Sequence, residues 1–280
     1  MTAVVSAACS GTPVERWYRD VAAAVARCAP GDARFDASAY RPELLARLRA
    51  LWLHRMESEH RSTAVFASLA WQFMEAGAPL DMKAMALSMA QDELRHTELC
   101  ARVVEAMGGV ARVEVERPVS LMPEHRGCSP EERALRNVIF GSCLSEVVNC
   151  ARFVALLDAT EDPYLRDVTR QLLADEAAHG QLGYHYLEAW RPWLDARPDV
   201  RASLARYLRY AFAVYEAEHG GGDGPFPARS PDELRAGVPD LAVSRDVLHQ
   251  TVAHAVVPGL ARFGIDAETA WRTRSLDAAP

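Results

Sequence analysis

The feature that most constrains this chain is a five-residue pattern that occurs twice, Asp92-Glu93-Leu94-Arg95-His96 and Asp175-Glu176-Ala177-Ala178-His179. Each copy lies inside a long stretch of helix-forming sequence. Residues three apart share a helix face, so each Glu and its His project together. Both pairs also sit on apolar stripes. Met89, Ala90, Thr97 and Cys100 flank the first, and Leu172, Leu173, Gly180 and Gly183 flank the second. Charged and polar groups are thereby aimed at an interior, and the fold must supply something there to receive them.

The sequence around them reads as helix. Ala, Leu, Arg and Glu recur with a 3.6-residue apolar period over most of the 280 residues. Helices are expected over 13–28, 42–75, 81–107, 130–158, 162–190, 200–218 and 243–260. Ser129-Pro130-Glu131-Glu132 supplies an N-cap, a proline in the first turn and a Glu placed to close a capping box, and Ser230 to Glu233 repeats the pattern. Gly108-Gly109 suits a helix C-terminus. Residues 42–107 and 130–190 therefore each form a long helix, a short turn and a long helix. Short turns force antiparallel neighbours, and two such hairpins joined by a crossover make a four-helix bundle. In the crossover, Val110, Val113 and Val115 alternate with polar neighbours, but Pro118 and Pro123 keep any strand short. The expectation is an all-α fold: one helical domain over 1–280, with a bundle core at about 42–190, a helix before it, and a helical extension over about 197–280 that includes a Gly-rich loop at 219–229.

Each hairpin should add one inward carboxylate from its first helix. Glu146 lies thirty residues before Glu176, among Ile139, Cys143, Cys150 and Phe153. In the first hairpin Glu59 aligns with Met56, Thr63, Phe66 and Phe73, whereas Glu57 aligns with the mixed face of Leu53, His60, Arg61 and Ala64. Glu59 is the better candidate. Four carboxylates converging in a core are prohibitively costly if left unpaired. Two divalent cations remove the difficulty, because four negative charges offset four positive ones and the imidazoles remain neutral donors. Carboxylate and imidazole together suit iron or manganese. The expected metal ligands are Glu59, Glu93, His96, Glu146, Glu176 and His179.

A Glu followed by Glu-x-x-His, repeated on four antiparallel helices, resembles the ligand set of the ferritin-like di-iron carboxylate proteins. The resemblance covers residues 50–190, and Asp-Glu-Leu-Arg-His looks like the D-E-x-R-H segment of the bacterial multicomponent monooxygenases and soluble desaturases. It implies a ferritin-like four-helix bundle holding two iron ions, with a manganese–iron pair as the variant. It also implies that Asp92 supports His179 and Asp175 supports His96, with Arg95 neutralising the aspartates. Ala178 stands where a second Arg would, so that network should be asymmetric. The monooxygenases carry a Thr one turn past the ligand matched here by Glu146; this chain has Asn149 and Cys150 there, and Thr63 one turn past Glu59. These three are the candidate catalytic side chains, with simple packing as the competing reading. The spacing of thirty-four residues from Glu59 to Glu93, against thirty from Glu146 to Glu176, suggests a bulge near one ligand. A third His, which the N-oxygenase branch places one turn before the second Glu-x-x-His, is here Leu172.

The expected function is a di-iron oxygenase or oxidase that uses O2 and an electron donor to hydroxylate, desaturate or N-oxygenate a small organic molecule; a ferroxidase or iron-storage protein is the alternative. The net charge of −7, without any Lys/Arg block, argues against a nucleic-acid partner and hence against a tRNA-modifying hydroxylase. No uncharged apolar run of membrane-spanning length is evident. The six cysteines show no CxxC pair, which fits reduced thiols in a cytoplasmic protein. A homodimer is the default assembly.

Overall fold

The computed structural model describes residues 2–6, 33–116, 122–220 and 229–278. The helix expected over 13–28 and most of the Gly-rich loop lie outside them. The fold is an all-α bundle. Its four long helices are α1 (Pro42–Glu75), α2 (Leu80–Ala106), α3 (Pro130–Ala159) and α4 (Pro163–Ala189). The turns between α1 and α2 and between α3 and α4 are short, as read from the sequence. Gly77 takes φ 67° in the first of them, a left-handed conformation that glycine adopts without steric cost. The alternating valines of the crossover do form a strand, β2 (Arg112–Glu116), which pairs antiparallel with β1 (Thr2–Ser6) so that Val5 faces Val113.

Ser129 caps α3 by accepting from the Glu132 amide at 3.3 Å. The capping box expected there is incomplete, because the Glu132 carboxylate turns to Arg136 and Ser203 instead. The complete box occurs at Ser230–Glu233, opening a short helix α7 (Pro231–Arg235). Before it come α5 (Arg191–Asp195) and α6 (Pro198–His219). After it α8 (Leu241–Thr251) runs through a π-helical stretch (Val252–Val256) into Val257–Ala261, and α9 (Ala267–Arg272) follows.

Two apolar clusters fill the interior. One joins Phe66, Phe73, Ile139, Leu182 and Tyr186 of the bundle to Leu204 and Phe212 of α6 and Leu248 of α8, so the C-terminal extension shares the bundle's core. The other contains Leu48, Trp52 and Met56 of α1, Leu99 and Cys100 of α2, Phe153 of α3, and Val168 and Leu172 of α4. On α1, α2 and α4 the change from one cluster to the other brackets the buried Glu and His residues; on α3 it falls just past Glu146, between Val148 and Phe153. Trp71 points outward and is 65% exposed. α3 is long and apolar enough to cross a membrane, with a mean hydropathy of 1.4, but half of that window is buried within the protein and Glu146 is on its buried side.

Candidate metal centre

The six expected ligands come together. Glu93, His96, Glu176 and His179 are 0–2% exposed, and Glu59 and Glu146 are 7% and 6% exposed. Glu93 and Glu176 each offer one oxygen to each imidazole. Glu93 Oε2 lies 3.6 Å from His96 Nδ1 while its Oε1 lies 3.0 Å from His179 Nδ1. Glu176 Oε1 lies 3.5 Å from His96 Nδ1 and its Oε2 lies 3.0 Å from His179 Nδ1. Glu59 Oε2 stands 3.5 Å from His96 Nδ1, on one side. Glu146 stands on the other, with Glu176 and His179. Two overlapping donor groups result, Glu59/Glu93/His96/Glu176 and Glu146/Glu176/His179, each with its donor atoms within 4.8 Å of one another. Two carboxylates in the middle, one at each end and one imidazole per half describe the geometry.

These atoms converge without satisfying one another. His96 Nδ1, His179 Nδ1, Glu93 Oε2 and Glu176 Oε2 are all buried and have no hydrogen-bond partner, despite separations as short as 3.0 Å. Buried polar atoms are almost always paired. Four buried orphans facing one point form a cluster that could hold a metal ion. The donor chemistry, oxygen and imidazole nitrogen, fits divalent first-row metals.

Without cations, protons balance the charge. Burial pushes Glu146 well above the usual carboxylate range, and repulsion from Glu176 adds to it. Burial likewise raises Glu93 to about 7, against the pull of His179 and His96. Burial also raises Glu176. Glu59 moves the other way: burial is outweighed chiefly by His96, which faces it. For both imidazoles burial favours the neutral form, but the surrounding acids win. Asp175, Glu59 and Glu93 hold His96 well above its ordinary value, and Asp92, Glu176 and Glu93 push His179 to about 12. A cation entering the site exchanges with these protons.

Outside the donors, the two aspartates reach across the bundle. His96 Nε2 lies 3.1 Å from Asp175 Oδ2, and His179 Nε2 lies 3.3 Å from Asp92 Oδ2. Each imidazole thus donates from Nε2 and turns Nδ1 to the centre, the orientation that fixes a ligating tautomer once the second proton has left. Arg95 pairs closely with Asp92 and stands 3.7 Å from Asp175. No arginine mirrors it on α4, so the network is one-sided.

Local chain geometry explains the placement. α3 is π-helical over Ile139–Glu146, a stretch that ends on Glu146; it lies before the Glu146–Glu176 interval and does not account for the unequal spacings. Such stretches mark functional sites in helices. Gly183 of α4 lets α3 approach closely: a Cβ there would meet Cys143 Sγ at 2.4 Å and the Cys143 backbone nitrogen at 3.1 Å. In that gap the Ser142 hydroxyl accepts from the Gly183 amide at 2.8 Å and donates to the His179 carbonyl.

Of the three candidate catalytic side chains, Thr63 donates to the Glu59 carbonyl at 3.3 Å, in its own helix. The Asn149 amide approaches Glu146 Oε2 at 3.5 Å. Burial, with the nearby charges of Glu176 and Glu146, pushes the Cys150 thiol up to about 12. α1 and α3 run antiparallel, so Thr63 lies toward the Phe66 cluster and Cys150 toward the Phe153 cluster; they flank the centre on opposite sides. Glu57 is excluded from it, bound instead to Arg61 at 3.0 Å. His249 pairs with Glu216 and His254 is exposed, so neither replaces the histidine absent at Leu172. Sequence reasoning passed over Arg55. It lies one turn before Glu59, its guanidinium rests over the rings of Trp52 at 4.8 Å and Phe153 at 4.7 Å, and its Nη1 is buried with no partner. Its spacing from Glu59 is the only signal the sequence carried.

Compared with protein-family models, with curated proteins and with solved structures, the chain gives no match. What can be said of function therefore rests on the side chains themselves.

Proposed function

We propose that the cluster holds two iron ions and that the protein is a ferritin-like, non-haem di-iron oxidoreductase that uses O2 to oxidise a small organic substrate. The observation that carries this reading is the set of orphaned donors: two imidazole Nδ1 atoms and two central carboxylates aimed at one point, with both Nε2 atoms already engaged by aspartate. Glu59, Glu93 and His96 would hold one ion, Glu146, Glu176 and His179 the other, and Glu93 and Glu176 would bridge. Bound iron would supply O2 reduction and the oxidising equivalents. The chain's own part is to fix the tautomers through Asp92 and Asp175, to exclude water with an apolar cluster at either end, and to release the protons held at Glu93, Glu146 and the imidazoles as metal enters. Hydroxylation, desaturation and N-oxygenation are all compatible with such a centre, and an electron donor is required for turnover.

The test is anaerobic reconstitution of metal-free protein with ferrous iron, a count of iron per chain, then mixing with O2 while the visible spectrum is recorded. Two irons per chain and a transient absorption that decays without iron release are expected. One iron or none would break the six-ligand assignment. Rapid turnover of iron into a mineral would instead identify a ferroxidase.

A further inference from the structure

The four helices do not close evenly around the centre. α1 packs along α2, and α3 along α4, over the length of each hairpin, whereas α1 and α3 approach most closely along Pro130–Val138. At Gly141 the helices still touch: the position of a Cβ there is 3.9 Å from Val65 Cγ1. Beyond it they draw apart, and the next residues along the seam are Glu59 on α1 and Glu146 on α3. These two carboxylates are the more exposed of the six donors, at 7% and 6% against 0–2% for the rest. Of the six donors, solvent therefore reaches these two most, on the side where α1 and α3 face each other.

Arg55 and Phe153 occupy the seam one to two turns further on. The guanidinium comes from α1 and lies over the Phe153 ring of α3, with Trp52 of its own helix as a second face. Among the described residues it makes no ion pair and no hydrogen bond, and one of its nitrogens is buried without a partner. Aromatic faces attract the positive charge but leave the in-plane N–H donors unsatisfied. Glu59 is close enough in the chain to be felt, yet its carboxylate faces His96. If two dications take up the four carboxylates, as in the reading above, Arg55 is left as a cation with no counter-ion at the mouth of the site.

We propose that substrate reaches the centre through the α1–α3 seam and carries a carboxylate group that pairs with Arg55. The planar guanidinium fork matches a carboxylate in a two-bond geometry, stronger than the ring contacts that now hold it, so an incoming carboxylate would draw Arg55 off Phe153 and open the seam. Trp52 and Phe153 would then present their faces to the apolar part of the substrate.

This inference rests on the two-metal reading, and zinc separates the two because it fills the site without redox chemistry. Protein loaded with zinc is analysed for metal, then titrated calorimetrically with benzoate, hexanoate, benzamide and inorganic phosphate. One carboxylate per chain is expected to bind, with benzamide weaker by roughly ten- to a hundred-fold, the effect of losing charge-assisted hydrogen bonds. Arg55→Gln should bind two zinc ions, melt as the wild type does, and lose the preference for benzoate over benzamide. Arg55→Lys, which keeps the charge without the fork, should fall between. Two bound zinc ions with no carboxylate affinity, carboxylate affinity unchanged in Arg55→Gln, or phosphate binding tighter than either carboxylate would each overturn the inference and leave the metal centre standing. Failure of the wild type to bind zinc would instead strike the metal reading itself.

Discussion

Replacing Asp175 with Ala removes the acceptor that fixes His96. The two groups are 3.1 Å apart; the His96 side chain is 1% exposed but that of Asp175 is 30% exposed, so water can enter where the carboxylate stood. A neutral water would then accept from its Nε2–H in place of an ionised carboxylate, which loses a charge-assisted hydrogen bond worth about 1.5–3 kcal/mol. The ring would also lose the bond that holds its Nδ1 lone pair on the centre. Removing such a support typically weakens metal binding by roughly 10- to 100-fold, or about 1.4–2.8 kcal/mol, which agrees with the hydrogen-bond figure. Competition of zinc between the protein and a chelating dye should show two metals per wild-type chain, and in Asp175→Ala one of them weakened by that factor. Asp92→Ala should weaken the other through His179, and Asp175→Asn, which keeps an acceptor, should be milder than Asp175→Ala. Wild-type affinity for both metals in a normally melting Asp175→Ala protein would refute the argument. So would equal weakening of both sites, since each aspartate serves one imidazole.

Glu59→Gln should lose one metal or bind it far more weakly, whereas Glu57→Gln, whose carboxylate engages Arg61 on the surface, should stay within about 0.5 kcal/mol in stability and keep both; counting metal in the two variants checks this. The metal-free protein should lose stability as pH rises. Glu93 in the folded chain holds its proton from 4.5 up to about 7, a window in which the unfolded chain has released it, and His96 and His179 extend the same sign above 6.5. Metal binding, which needs those protons gone, should tighten over the same rise, so melting curves with and without zinc should diverge toward higher pH. Gly183→Ala should destabilise by about 1–3 kcal/mol, because the added methyl meets both Cys143 Sγ and the Cys143 backbone and can be accommodated only by moving α3 away from α4; a denaturant titration reads this directly.

Most of the donor set was legible because a helix carries its own ruler. Glu93 and His96 share a face by spacing alone, and the apolar residues on that face say that it is buried. The same ruler separated Glu59 from Glu57, and the Pro and Ser signals at Ser129 and Ser230 marked where helices begin. It failed where the answer depended on a neighbour. Trp71 sits among apolar residues in the sequence, yet among the described residues no helix covers its side of α1. Glu132 stands at the right place for a capping box, but Ser203 and Arg136 compete for its carboxylate and win.

The sequence by itself determined that this chain forms helical hairpins and that six particular side chains point into them. Only the tertiary structure decided what those side chains do to one another. It made Glu93 and Glu176 the shared carboxylates and set Glu59 and Glu146 at the ends. It put Thr63 and Cys150 on opposite flanks, and it left Arg55 over Phe153 with no ion pair among the described residues. Periodicity fixes the direction of a side chain relative to its own helix axis. Distances between side chains depend on how helices are staggered and how far apart they pack, and those follow from the fit of both surfaces together, down to a missing Cβ at Gly183 and eight residues of π-helix that end on Glu146.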